Sequence, residues 1–392
     1  MGMDITGLHI RPKQPMRNLL DEALKHNSPA EHYVWPQDAG PLLPNVYEVD
    51  PLRDRRWPSF LQRRPQASVF HSVGWLEALH RTYGYEPIVF TTSPPTSDLQ
   101  NGLLFCRVRS WATGSRCVSL SFSDHCEPLC DPNREFDILI RGLQIARARQ
   151  QWKYLEVRTV DQGFGDRAKA LGFKSSAKYL IHVIDLRPTA EVIFRRLHKD
   201  SVQRRVHRAE RAGIVEIRGK SQGHLKDFYR LMVRTRARHD LPPQPCHWFR
   251  NLLDCLGDAA DLRLAYRDSI PVAGVLVLHF KGTSYYKYGC SDERAHHLGV
   301  MPLLLWRAVL RAKFIGSTSF DLGRTDIDNH GLVVFKNHWT SLSQPLTYWT
   351  FPSDRSITFM RDWKRTMVKR LCALLPDRML EATGRLTYRH IG

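Results

Sequence analysis

The feature that most constrains this chain is an order of elements that occurs twice. From Val46 to about Asp185 the pattern runs helix, antiparallel strands, helix, strand, helix and strand. Helical spacing covers Gly74–Tyr83, Glu135–Gln150 and Gly163–Leu171, and strand-like runs cover 87–92, 103–110, 117–122, 154–158 and 178–185. Past Pro188 the order returns, with helices at 190–213, 224–239, 246–256 and 302–315 and strands at 262–267, 272–281, 283–288, 319–322 and 346–351. A mixed α+β unit used twice accounts for this. The boundaries that follow are a leader over 1–45, a first domain over 46–188, a second, catalytic domain over 189–352 and a tail over 353–392. The leader holds one helical stretch, Met16–Lys25.

Composition decides the class of partner. Fifty-eight Lys and Arg against 39 Asp and Glu leave a net charge of +19 on 392 residues, which suits an anionic substrate, RNA or an anionic membrane face. Arg204, Arg208 and Arg211 recur at i, i+4 and i+7, with Val202, Val206 and Ala209 opposite, so a guanidinium row suited to phosphates faces out of the 190–213 helix. The dispersed cysteines resemble cytosolic usage. Cys126 and Cys130 beside His125 have a zinc-like spacing but lack a second ligand pair, so no metal site is expected. No apolar run reaches the length of a signal core or membrane span, and a cytoplasmic protein is expected. Phe359, Trp363, Met367, Leu371 and Leu374 form an apolar stripe with Arg361, Arg365 and Lys369 on the other side, an amphipathic C-terminal helix that packs on the first domain or lies at the inner membrane face.

Phe70-His71-Ser72-Val73-Gly74-Trp75, the Arg-rich helix ending at Gly213, and Phe320-Asp321-Leu322-Gly323-Arg324-Thr325 followed by Val334-Phe335-Lys336 resemble the Fem-type peptidoglycan aminoacyltransferases and the related BioF2-like acyltransferases. That resemblance spans about residues 46–352 and is densest over 285–339. It implies two tandem GNAT-like domains and, in the second, two splayed strands with a channel for the acyl donor. Lys336 matches the family's lysine and is expected to stabilise the oxyanion or orient the donor carbonyl. Tyr286 and Tyr288 flank Lys287 and, by strand alternation, share one face as pocket or proton-relay groups. Asp321, Gly323, Arg324, Thr325 and Phe335 are the accompanying substrate-binding positions, with Asp321 anchoring the loop or holding Arg324. Gly299 is the surviving glycine of a phosphate-cradling loop whose other position is Met301.

The implied activity is transfer of an acyl or aminoacyl group to an amine of a cell-envelope precursor, without a tightly bound cofactor. Aminoacyl-tRNA is the donor the resemblance implies. The alternatives are an acyl-CoA-dependent N-acyltransferase of exopolysaccharide or lipid assembly, and a noncatalytic RNA-binding or scaffold protein that keeps the fold.

Overall fold

The computed structural model describes residues 46–111, 113–352 and 377–391. The Met16–Lys25 helix and the Phe359–Leu374 stripe therefore lie outside the described residues. The first half carries β1 (Tyr47–Val49), α1 (Arg56–Arg63), α2 (Val73–Tyr83), β2 (Glu86–Thr91), β3 (Leu103–Val108), β4 (Arg116–Val118), α3 (Phe136–Gln150), β5 (Leu155–Thr159), α4 (Gln162–Ala170) and β6 (Lys174–Asp185). The second carries α5 (Ala190–Arg196), α6 (Arg204–Arg211), β7 (Val215–Arg218), α7 (Gln222–Arg238), α8 (Cys246–Leu256), β8 (Ala260–Arg267), β9 (Ile270–Phe280), β10 (Thr283–Ser291), α9 (Val300–Phe314), β11 (Ser319–Asp326), α10 (His330–Asn337) and β12 (Ser343–Phe351), and α11 (Asp377–Ile391) follows.

Among the described residues the strands form one sheet in the order β1-β2-β3-β4-β5-β12-β6-β11-β10-β9-β8-β7. Pairing is antiparallel except for β4 with β5 and β10 with β11. A parallel neighbour needs a crossover, and each pair has one, α3 in the first half and α9 in the second. The repeated order read from the sequence is thus a repeated topology.

Two features depart from the sequence reading. The last strand, assigned there to the second half, inserts between β5 and β6 and hydrogen-bonds to both. A strand's partner is chosen by long-range pairing, which local pattern does not encode. The single helix expected over 190–213 is broken: Leu197 is extended, His198 Nδ1 accepts from Ser201 N at 3.1 Å, and a wide turn at Lys199–Gln203 precedes α6.

The halves are joined by a shared core. Ser72 caps α2 by accepting from Trp75 N, and Gly84, with φ of 69°, ends it. The face so presented, Trp75, Leu76 and Leu79, packs on Trp248, Phe249 and Leu252 of α8. Trp75 and Trp248 meet edge to face at 5.4 Å. Gly74 makes the approach possible, since a Cβ there would lie 2.5 Å from the Cys255 carbonyl oxygen. On the opposite face of the sheet, α6 and α9 cover β8 to β11 with Val206, Leu303, Leu304 and Val309.

Candidate functional site

The site begins where two parallel strands part. Thr283, Ser284 and Tyr285 of β10 pair with Ser319, Phe320 and Asp321 of β11, and the pairing stops there. Each strand bulges at that point, β10 between Tyr286 and Tyr288 against β9, and β11 between Asp321 and Arg324 against β6. The second bulge follows from local chemistry: Gly323 takes φ of 74°, a conformation glycine adopts without strain, and its N–H donates to Asp321 Oδ1 at 2.7 Å. Two bulges at one level turn the strands away from each other and open a wedge.

A cavity of about 530 Å³ lies on the α9 side of this wedge. Tyr286 and Gly289 of β10, Val334 and Phe335 of α10, and Val300 and Met301 of α9 line it. No side chain caps α9, and Val300, Met301 and Pro302 of its first turn line the cavity. Arg205 and Arg238 add positive charge to the same wall. Gly299 holds this end together: it takes φ of 79°, and a Cβ would lie 2.4 Å from the Arg205 carbonyl oxygen.

Behind the wedge lies a buried charged cluster built from both halves. Asp124, from the loop after β4, receives the Lys287 ammonium at 3.0 Å and has Arg324 Nε at 3.9 Å. Burial opposes its ionisation, but Lys287, Arg324 and Lys336 hold its carboxyl below the usual range. His125 stands between two carboxylates, with Nε2 3.4 Å from Asp321 and Nδ1 3.6 Å from Glu127. Burial lowers its pKa, yet those two carboxylates outweigh burial and push it up to about 10. Lys287 also lies over the rings of Phe70, Trp75 and Tyr288 at 5.0, 5.5 and 5.9 Å.

Lys336 is 3% exposed. Its ammonium donates to the carbonyl oxygens of Gly323 at 2.6 Å and Arg324 at 3.0 Å, fastening α10 to the β11 bulge. Burial brings its pKa down to about 8, against the pull of Asp124 and Asp321. It is a buried cation at the wedge, but it faces away from the cavity that its neighbour Phe335 lines.

The two tyrosines do not share a face. The bulge at Lys287 shifts the alternation, so Tyr286 enters the cavity while Tyr288 enters the shared core and accepts a hydrogen bond from Trp248 Nε1 at 2.8 Å. Burial raises both phenols, which stay protonated. Asp321 does not hold Arg324. It anchors Gly323 and faces His125, while the Arg324 guanidinium lies over Tyr179 and Tyr348 at 4.8 and 5.4 Å. Thr325 is buried beside the cluster. Arg204, Arg208 and Arg211 are exposed and do not line the cavity: Arg204 pairs with Asp200, and Arg208 donates to the His297 carbonyl. Arg205, one position along, is the arginine of α6 that lines the cavity. The residues that sequence reasoning missed are Asp124, Glu127 and Arg238. Asp124 and Glu127 leave one trace, the charged Asp124-His125-Cys126-Glu127 run between apolar segments, in which His125 drew notice solely beside two cysteines.

Residues 196–331 match the acetyltransferase (GNAT) domain family, and no curated protein matches the chain. Among solved structures, FemX is similar with a TM-score of 0.63 at 15% identity, over 80% of this chain and 99% of FemX. A tandem GNAT protein from the clavulanic acid biosynthesis pathway gives 0.52 at 14% identity, over 79% and 99% of the two chains. The L-PGS structure from Bacillus licheniformis gives 0.51 at 14% identity, over 82% and 97%. The fold is that of the Fem-type tandem GNAT proteins, as the motifs at 70–75 and 320–336 imply.

Proposed function

We propose that this chain is an acyltransferase that moves an acyl or aminoacyl group from a phosphate-bearing carrier to an amine of a cell-envelope precursor. One observation carries the reading: β10 and β11 part after Tyr285 and Asp321, and the opening leads into a cavity that reaches the uncapped first turn of α9. The freed strand edge can take the amide-rich arm of a carrier as an added strand. The helix N-terminus, with Arg205 and Arg238, suits the carrier's phosphates.

A cavity of this size, set between a freed strand edge and a helix N-terminus, favours a slender donor arm, an acyl-CoA thioester. The amine nitrogen attacks the carbonyl carbon, the carbon–sulfur bond breaks, and the proton the amine loses is matched by one delivered to the departing thiolate. Tyr286 is the protonated group inside the cavity, and its phenol serves as hydrogen-bond donor to the oxyanion or as proton source for the thiolate. Lys336 acts on the same step from behind, by fixing the bulge and adding positive potential. Aminoacyl-tRNA is the second reading, favoured by the exposed Arg204, Arg208 and Arg211 beside the cavity wall at Arg205. The name of a further fold relative, a putative lysylphosphatidylglycerol synthetase from Agrobacterium fabrum, supports an envelope acceptor.

The test is transfer of label to an amine acceptor from labelled acyl-CoA and, separately, from labelled aminoacyl-tRNA. Turnover with the thioester alone supports the first reading, and turnover with the charged tRNA alone supports the second. Inertness with both, together with retention of RNA, marks a noncatalytic protein.

A further inference from the structure

We propose that the hairpin tip carrying Trp111 and the outward face of α11 form one docking surface for an anionic phospholipid bilayer. Trp111, between β3 and β4, is 91% exposed, the most exposed large apolar side chain among the described residues. Exposed indole has no role in a core. Its place is fixed, because α11 ends on the same hairpin: Ser110 Oγ lies 2.9 Å from His390 Nδ1, and Thr113 Oγ1 and Arg116 donate to the His390 carbonyl at 3.1 and 2.9 Å. The Trp111 and His390 rings stand edge to face at 5.3 Å.

Helical spacing extends this patch. Met379, Leu386 and His390 recur at i, i+7 and i+11 and so share one stripe, with Met379 55% and Leu386 69% exposed. The opposite side of α11 is taken. Leu380 is buried, Gly384 lies so close to Pro243 that a Cβ would come within 2.0 Å of its carbonyl oxygen, and the Tyr388 hydroxyl donates to the Pro242 carbonyl at 3.1 Å. The outward stripe is therefore not the helix's core face.

Arg385 and Arg389 are exposed beside the stripe. The chemistry of the patch selects its occupant. Exposed apolar groups, Trp111, Met379 and Leu386, stand among the exposed arginines Arg385 and Arg389, an apolar and cationic pairing that matches an anionic bilayer. Tryptophan and leucine enter the headgroup boundary, and arginines extend to anionic headgroups, which is how a helix lies on a membrane. The surface stands independently of acyl transfer, and its test uses no donor.

Full-length protein is sedimented with phosphatidylglycerol vesicles and with phosphatidylcholine vesicles at low salt. It should pellet with the first and not the second. Trp111→Ser combined with Leu386→Ser should abolish pelleting, and Arg385→Gln and Arg389→Gln should each weaken it about five-fold. Because these side chains are exposed, thermal midpoints should hold. Should the double variant melt early, quenching by brominated lipid is compared between wild type and Trp111→Phe, and a difference is required. Undiminished pelleting of a folded double variant, equal binding to both vesicles, or self-association that disappears with the same substitutions overturns the proposal.

Discussion

The carboxylate of Asp124 lies 3.0 Å from the ammonium of Lys287, an ion pair between the two halves at the level where β10 and β11 separate. Lys287 is the bulged residue of β10, so the first half clamps the distortion that opens the second. Burying such a pair gains little over an apolar pair, whereas removing one member leaves a charge in the interior. Lys287→Met should therefore cost about 3 kcal/mol in urea unfolding, and Lys287→Met with Asp124→Asn should recover most of it. A double variant as unstable as the sum of its parts would show that the pair is not the clamp.

Lys336 makes a different prediction, since it does not line the cavity. Lys336→Met removes the two bonds to the bulge carbonyls and the cation behind the wedge, while leaving the donor-binding wall in place. Turnover should fall about a hundredfold with KM for the donor nearly unchanged, the loss typical of one electrostatic stabiliser. A raised KM at normal turnover would place Lys336 in binding instead.

Three buried groups shape the pH dependence of stability. His71 is pulled down by burial to about 4, so unfolding binds a proton as pH falls from about 6.5 to about 4, and stability is lost in that window. His125, held up to about 10, contributes stability that is complete below about 6.5 and drains away as pH rises toward 10. Lys336, lowered to about 8, releases its proton earlier in the fold than in the unfolded chain and adds stability as pH rises from about 8 to about 10.5, partly opposing His125. Denaturant midpoints should peak near pH 6.5 and fall on both sides, and His125→Gln should flatten the fall between 6.5 and 8. An unchanged alkaline limb in that variant would mean His125 is not the charged partner of Asp321 and Glu127.

What the sequence made legible follows from how local each feature is. The Asp321-Leu322-Gly323 turn and the Phe335-Lys336 pair are short-range chemistry, and they mark the β11 bulge and the helix fastened to it. Strand alternation placed Tyr286 and Tyr288 together because a bulge leaves no mark in the pattern: a Lys between two Tyr reads the same whether the strand is regular or not. Asp124 and His125 stayed hidden for another reason. They are loop residues whose partners, Lys287 and Asp321, come from the other half, and only the folded sheet brings them into contact. The insertion of β12 beside β5 is of the same kind, a pairing across almost the whole chain.

Gly289 tests whether Tyr286 is the cavity's working group. A Cβ at this position would lie 1.8 Å from the Tyr286 hydroxyl and 3.1 Å from Met301 Cε, so only glycine leaves room for the phenol to lie across the strand. The backbone at Gly289 is ordinary strand, paired to Val275, and alanine suits it. Gly289→Ala should thus leave thermal stability within about 1 kcal/mol of wild type while driving the phenol from its place. Transfer should fall to the level of Tyr286→Phe, about a hundredfold below wild type if the hydroxyl serves the oxyanion. In a Tyr286→Ala background the clash is gone, and adding Gly289→Ala should bring no further loss. Additive losses in that cycle would mean the two positions act separately and that Tyr286 only fills space.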